Sequence, residues 1–271
     1  MPEREAPIRI AVAGANGKMG REAMAALLAQ PRFEIVATLV RTPAALSDKP
    51  WTEYADAEQL LVQKHPDVWL DFTDADSVVG HIDQCVAFGV RPVVGATGYT
   101  TEDILRWDER LRASDLGGIA APNFAIGALL MMRFASEAAR FYERAEIVEY
   151  HHDGKKDAPS GTARRTAEQM AAQRTESATN ERLAFDGVYE RRVAAVEQPA
   201  RGLFVKDIPI HSVRLPGLVA HQEVIFGGTG EVLTIRHDSL SRSSFMPGVV
   251  LACTRVMELR GMTYGLEHLL W

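Results

Sequence analysis

The chain has 271 residues, 46% of them hydrophobic and 24% charged, with 30 Lys and Arg against 36 Asp and Glu for a formal net charge of −6. A globular chain of this length buries about three-quarters of the surface its unfolded form exposes, and the composition excludes collagenous, disordered and membrane-spanning classes. The negative balance offers a polyanion no general attraction, which argues against nucleic acid as a partner.

The N-terminal stretch MPEREAPIRIAVAG carries acidic residues and one short apolar run, so neither a signal peptide nor a membrane span is expected. Cys85 and Cys253 each lie in apolar surroundings and read as buried small hydrophobes in a reducing, cytoplasmic compartment rather than as a disulfide or metal pair. Over residues 8–121, short β-branched runs (IRIAVAG, FEIVATLV, DVWLDFT, RPVVGATG, GGIAAPN) alternate with helix-period stretches (MGREAMAALLAQ, DADSVVGHIDQCVAFG, TTEDILRWDERLRAS). That is the pattern of βαβ units on a parallel sheet, with a cleft at the carboxyl ends of the strands. The last two helices open on good N-cap residues.

GANGKMG follows the first strand and runs straight into a helix. Gly14 and Gly17 permit backbone conformations closed to other residues, and free N–H groups at a helix start favour a pyrophosphate. The G-x-x-G-x-x-G spacing is looser than the usual fingerprint, but its strand–turn–helix setting favours dinucleotide binding by Gly14, Ala15, Asn16, Gly17, Lys18 and Met19 over a plain tight turn. At the end of the second strand, where NAD-specific domains place a carboxylate, stand Val40 and Arg41. Arg41 is either a ligand for a 2′-phosphate, making NADPH at least as acceptable as NADH, or a solvated surface residue. Gly95, Ala96 and Thr97, then Ala121, Pro122, Asn123 and Phe124, end the next strands, either at the nicotinamide side of the cleft or simply as loops.

After Pro122 the character changes, and a second domain is expected. FAIGALLMMRFASEAARFYERA reads as a long helix with Met131 and Met132 in the core and a solvated charged face, and EIVEYHH, VKDIPIHSVR, LVAHQEVIFG and GEVLTIRHD read as strands of a mixed or antiparallel sheet. Residues 173–192 are expected to be exposed and mobile, and SFMPGVVLACTRVMELRG to form a last helix. The most informative segment is EYHHDGKKDAPSGTA, residues 149–163. Pro159, Ser160, Gly161 and Thr162 precede a helix and form an anion nest, while two imidazoles and one or two ammonium groups can bind carboxylates or deliver a proton. The chemistry implied is reduction of an anionic small molecule. A zinc site is disfavoured, because adjacent histidines point to opposite faces of a strand and no third ligand is near. His221 and His237 read as half-buried sheet residues.

AVAGANGKMGRE, DFT at residues 71–73, GATG, APNFAIG, HHDGKKDAPSGTA and EVIFGGTGEVLTIRHDSLSRSSFMPG together closely resemble the 4-hydroxy-tetrahydrodipicolinate (dihydrodipicolinate) reductase family of bacterial lysine and diaminopimelate biosynthesis, over nearly the whole chain. The resemblance implies an NAD(P)H-dependent oxidoreductase that reduces a cyclic imino dicarboxylate with loss of its 4-hydroxyl as water. It implies His151 as proton donor or acceptor, Lys155 as second proton donor, and His152 with Ser160, Gly161 and Thr162 around the substrate carboxylates. It further implies an α/β fold: a discontinuous Rossmann-like nucleotide domain, residues 1–123 and 243–271, and an α+β domain with a mixed sheet, residues 124–242, through which a homotetramer forms. Some members carry an acidic residue where this chain has Val40, and some read Gly-Glu-His at Ala220, His221 and Gln222. Lys156 follows the matched lysine as a second ammonium that could share the role, with Lys155 the residue that the resemblance assigns.

Overall fold

The computed structural model describes residues 6–44, 48–179 and 199–271. In chain order the elements are β1 (Ile8–Ala13), α1 (Lys18–Leu28), β2 (Phe33–Leu39), β3 (Thr52–Tyr54), α2 (Ala57–Lys64), β4 (Val68–Asp71), α3 (Val78–Ala87), β5 (Arg91–Val94), α4 (Thr101–Ala113), β6 (Gly117–Ala120), α5 (Ile126–Ala138), β7 (Arg144–His151), α6 (Gly161–Thr179), β8 (Leu203–Val205), β9 (Ile208–Arg214), β10 (Ala220–Gly228), β11 (Glu231–Ser239), α7 (Met246–Arg255) and β12 (Gly261–Tyr264). They form two compact units, residues 1–126 with 242–271, and residues 127–241.

The first unit is built on a seven-stranded sheet in the order β12-β6-β5-β4-β1-β2-β3, all pairs parallel. Parallel strands are covered on both faces, which is why the β1 and β4 runs are apolar nearly throughout rather than alternating. From β1 the chain first builds outward through β2 and β3, then returns to the other side with β4. This reversal puts a crevice beyond the carboxyl ends of β1 and β4, the usual ligand position of such sheets. α1 buries Ala23, Met24 and Leu27 along one stripe. α4 starts at a capping box in which Thr100 Oγ1 accepts from Asp103 N at 3.2 Å and the Asp103 carboxylate accepts from Thr100 N at 2.8 Å. α4 is tied to α3 by Trp107 Nε1 donating to Asp83 Oδ1 at 2.8 Å.

The five strands read from the first half are all present, and three elements escaped notice: β3, α2 and β12. α3 begins only at Val78, after Ser77, with no side-chain cap; the expected cap, Asp74, accepts instead from Ser77 Oγ at 2.8 Å.

The second unit has a five-stranded sheet in the order β11-β10-β7-β9-β8, mixed because β7 and β9 run parallel while the other pairs are antiparallel. Ala135 and Ala139, at the C-terminal end of α5 and just beyond it, and Ala163, Ala167 and Met170 of α6 pack with Ile147, Ile210, Val224 and Phe226 on one face of the sheet. Met131 and Met132 of α5 are buried as expected. α5 is shorter than its apolar pattern suggested: it ends at Ala138, and Arg144 and Ala145 already belong to β7. VKDIPIHSVR splits into β8 and β9 around a turn in which Lys206 takes φ 57°. α6 continues to Thr179, and Arg174 lies against Asp207 at 2.7 Å, so the start of the segment read as exposed and mobile is helical; residues 180–192 of it lie outside the described residues.

Candidate active site

In the first unit, the residues singled out as a nucleotide site all lie at carboxyl ends of strands: Gly14 through Met19 after β1, Arg41 beyond β2, Gly95 through Thr97 after β5, and Ala121 through Phe124 after β6. Gly14 adopts φ +76°, and a Cβ there would stand 2.6 Å from the Phe72 carbonyl oxygen. Gly17 is the N-cap of α1 with no side chain capping it, which leaves the first-turn N–H groups to a ligand. At Gly20 a Cβ would meet the Gly14 carbonyl oxygen at 2.1 Å, so the helix start and the loop are pressed backbone to backbone. The cradle therefore fits a pyrophosphate. Ala15, Ala96, Ala121 and Phe124 are buried.

Asp71 holds this edge together, a role sequence reasoning missed although DFT was read as a motif. Its fully buried carboxylate accepts from Trp69 Nε1 (2.9 Å), Thr73 N (2.9 Å) and Thr73 Oγ1 (2.5 Å), and lies 3.0 Å from His81 Nδ1. Its carbonyl accepts from Gly95 N and Ala96 N. The Phe72 and Phe124 rings meet edge to face at 5.8 Å, and a Cβ on Gly95 would collide with both. Arg41 is almost fully exposed and paired with Asp74 at 3.0 Å.

In the second unit, the cationic loop leaves the end of β7. His151 Nδ1 lies 2.5 Å from Glu149 Oε2. Arg214 of β9 grips the same carboxylate with both terminal nitrogens, NH1 to Oε2 at 2.9 Å and NH2 to Oε1 at 2.7 Å, and also donates to the Asp157 carbonyl at 2.8 Å. Burial alone would raise the Glu149 carboxyl, but hydrogen bonds from His151, Arg214 and Ser212 outweigh it and bring it down to about 2. Neither Glu149 nor Arg214 was read from the sequence; the i, i+2 spacing of Glu149 and His151 on one strand was the available signal.

Lys155 is half-buried and held 2.8 Å from Asp157 Oδ1, whereas Lys156 is exposed. The Asp157 carboxyl is raised by burial and lowered, on balance, by the Lys155 ammonium. Ser160 is buried and caps α6: its Oγ accepts from Ala163 N at 3.2 Å and its N–H donates to Glu149 Oε1 at 3.2 Å. Gly161 is exposed, with open space where a Cβ would stand. His221 is more buried than a half-exposed sheet residue, with Nδ1 2.8 Å from Asp238 Oδ1, while His237 is half-buried with its imidazole pushed down chiefly by that burial.

A doubly wound parallel unit with a glycine cradle, joined in one chain to a unit that gathers cations over a helix start, defines a Rossmann-like oxidoreductase of the two-unit kind. The N-terminal model of dihydrodipicolinate reductase matches residues 8–124, and its C-terminal model matches residues 127–270. The chain is 46% identical to 4-hydroxy-tetrahydrodipicolinate reductase of Geobacillus kaustophilus over 97% of its length and 99% of the relative's, and 46% identical to that of Lactococcus lactis subsp. cremoris over 97% of each. The dipicolinate-bound dihydrodipicolinate reductase from Paenisporosarcina sp. TG-14 superposes with a TM-score of 0.81 at 42% identity, covering 97% of this chain and 99% of that one. The chain belongs to the dihydrodipicolinate reductase family.

Proposed function

We propose that the protein catalyses the NAD(P)H-dependent reduction of 4-hydroxy-tetrahydrodipicolinate to tetrahydrodipicolinate, with loss of the 4-hydroxyl as water, as a cytoplasmic step of lysine and diaminopimelate biosynthesis. The observation that carries this reading is the loop after β7, where His151, Lys155 and the start of α6 lie within one short segment, with His151 on the Glu149–Arg214 pair. Its cations and helix N-terminus suit a small dicarboxylate.

Gly14, Ala15, Asn16, Gly17, Lys18 and Met19 would hold the pyrophosphate by main-chain N–H groups. Arg41 would exchange Asp74 for a 2′-phosphate, and Gly95 to Thr97 with Ala121 to Phe124 would flank the nicotinamide. Bound NADPH or NADH supplies a hydride. Because the substrate gains that hydride at C4 and releases its hydroxyl as water, each turnover consumes one proton. His151 and Lys155 are the groups assigned to hold and deliver it. His152 and the N–H groups of Gly161 and Thr162 would bind the carboxylates, with Ser160 shaping the nest rather than reaching out of it.

A homotetramer formed through the second unit completes the reading. The helices cover one face of the mixed sheet, and the opposite face of β7 presents Val148 and Tyr150 half-exposed. Light scattering with size exclusion tests the assembly, and a monomer at micromolar concentration would refute it. For the activity, the decisive experiment follows NADPH and NADH oxidation at the nicotinamide absorbance, with substrate generated in the cuvette from pyruvate and aspartate semialdehyde by the preceding synthase. Oxidation that requires the synthase supports the assignment; tight cofactor binding without oxidation refutes it.

A further inference from the structure

We infer that Glu149, clamped by Arg214, is a positioning residue for this reduction: it fixes His151 as the Nδ1–H tautomer and leaves Nε2 as the nitrogen that exchanges the proton. The inference rests on the proposed role of His151.

Glu149 is fully buried yet surrounded by donors: His151 Nδ1 and Arg214 NH1 on Oε2, Arg214 NH2 and Ser160 N on Oε1, and the Ser212 side chain as a further donor. An ionised carboxylate only accepts hydrogen bonds, so the facing ring nitrogen must carry hydrogen whether the imidazole is neutral or charged. The fold makes the contact unavoidable. Glu149 and His151 are two apart on β7 and share a face, and the parallel register of β7 with β9 sets His151 opposite Arg214. A buried ion pair gives no more stability than apolar packing of the same volume would, so its placement under this histidine points to orientation as a role beyond that of holding the fold. Asp157, whose carboxyl interacts with the His151 ring, is paired with Lys155 in the loop, and β10 sets Ala220 opposite His151.

The test compares Glu149→Gln with Glu149→Asp. For E149Q the expected result is a kcat lower by about 10²-fold with a KM within about threefold, the pattern of a lost orientation and tautomer. With the carboxylate replaced by an amide, an N–H can face the ring as readily as an oxygen, so hydrogen on Nδ1 is no longer enforced. E149D, which keeps an acceptor-only carboxylate, recovers part of the rate. A second readout needs no turnover: ¹⁵N chemical shifts of the histidine rings in the wild-type protein should show neutral His151 protonated at Nδ1. An Nε2–H tautomer there, or an E149Q kcat equal to wild type, overturns the inference. Should E149Q not fold, the wild-type spectrum and E149D decide by the same criteria. A His151→Ala variant with normal turnover would sink the catalytic reading of the histidine instead, while the tautomer spectrum still judges the Glu149 contact by itself.

Discussion

Replacing Gly20 by Ala puts one methyl group where the structure has no room. The added Cβ would lie 2.1 Å from the Gly14 carbonyl oxygen and 2.8 Å from both the Gly14 carbonyl carbon and Ala15 Cα. All three atoms are main chain, and the Gly14 oxygen already accepts from Gly17 N at 2.9 Å. The cradle cannot retreat easily either, since Gly14 itself stands against the Phe72 carbonyl. Restoring ordinary contact requires the loop and α1 to part by roughly 1 Å, and overpacking of that kind costs about 3 kcal/mol, the upper end of the usual range because no flexible side chain can give way. For a chain of this size that is a fall in Tm of about 6–12 °C. Gly80 supplies the control: it is an exposed residue within α3 with nothing within 4 Å of a built Cβ, and Gly80→Ala should raise stability by about 0.5–1 kcal/mol through helix propensity. Calorimetry reads the two opposite shifts, and NADPH fluorescence titration should show weaker binding for G20A alone. A G20A protein with wild-type Tm and unchanged NADPH affinity would refute the account of the cradle.

Three further outcomes are expected. Lys155→Ala should lose about 10²- to 10⁴-fold in kcat, the range of a lost general acid, while Tm changes by no more than about 1 °C; normal turnover would remove Lys155 from the reaction. Arg41→Ala should weaken NADPH by about tenfold and leave NADH nearly unchanged by isothermal titration, because a charge-assisted phosphate contact is lost in only one case; equal losses would count against a 2′-phosphate contact. Glu149 makes folding sensitive to acid. Its carboxyl is lowered from 4.5 to about 2 by hydrogen bonds from His151, Arg214 and Ser212 that overcome the raising effect of burial. The stabilisation is thus fully present above about pH 5 and is lost as pH falls toward 2, amounting to about 3 kcal/mol. Urea unfolding from pH 6 to 2.5 should show a shallower acid limb in E149Q than in wild type, and identical limbs would refute the assignment.

What could be read from the sequence was whatever repeats locally. β1, the glycine loop and α1 follow one another between Ile8 and Leu28, and apolar runs broken by Gly, Asp or Asn mark five parallel strands without reference to anything distant. β3 and α2 escaped because a three-residue strand and an eight-residue helix are too short to show a period, although Asp56, whose Oδ1 accepts from Gln59 N at 2.6 Å, was a cap signal in plain sight. α6 was cut short for the opposite reason: its polar continuation has no apolar stripe to extend, yet Arg174 finds Asp207 across 33 residues.

The two carboxylates that organise the site show a further limit. Asp71 reaches Trp69, Thr73 and His81, all within ten residues, and still could not be read, because a strand's alternation says which face a side chain takes but not which atoms converge there. Glu149 needs Arg214 from 65 residues away, and only the parallel pairing of β7 and β9 supplies it. Residues that would touch ligands were conspicuous through their density in one loop. Those that hold them were silent, because a buried carboxylate and its arginine look in sequence like any two charged residues on separate strands. In this protein, therefore, the chemistry was legible before the architecture that tunes it, and the acid limb of stability and the tautomer of His151 are the two places where that architecture can be measured.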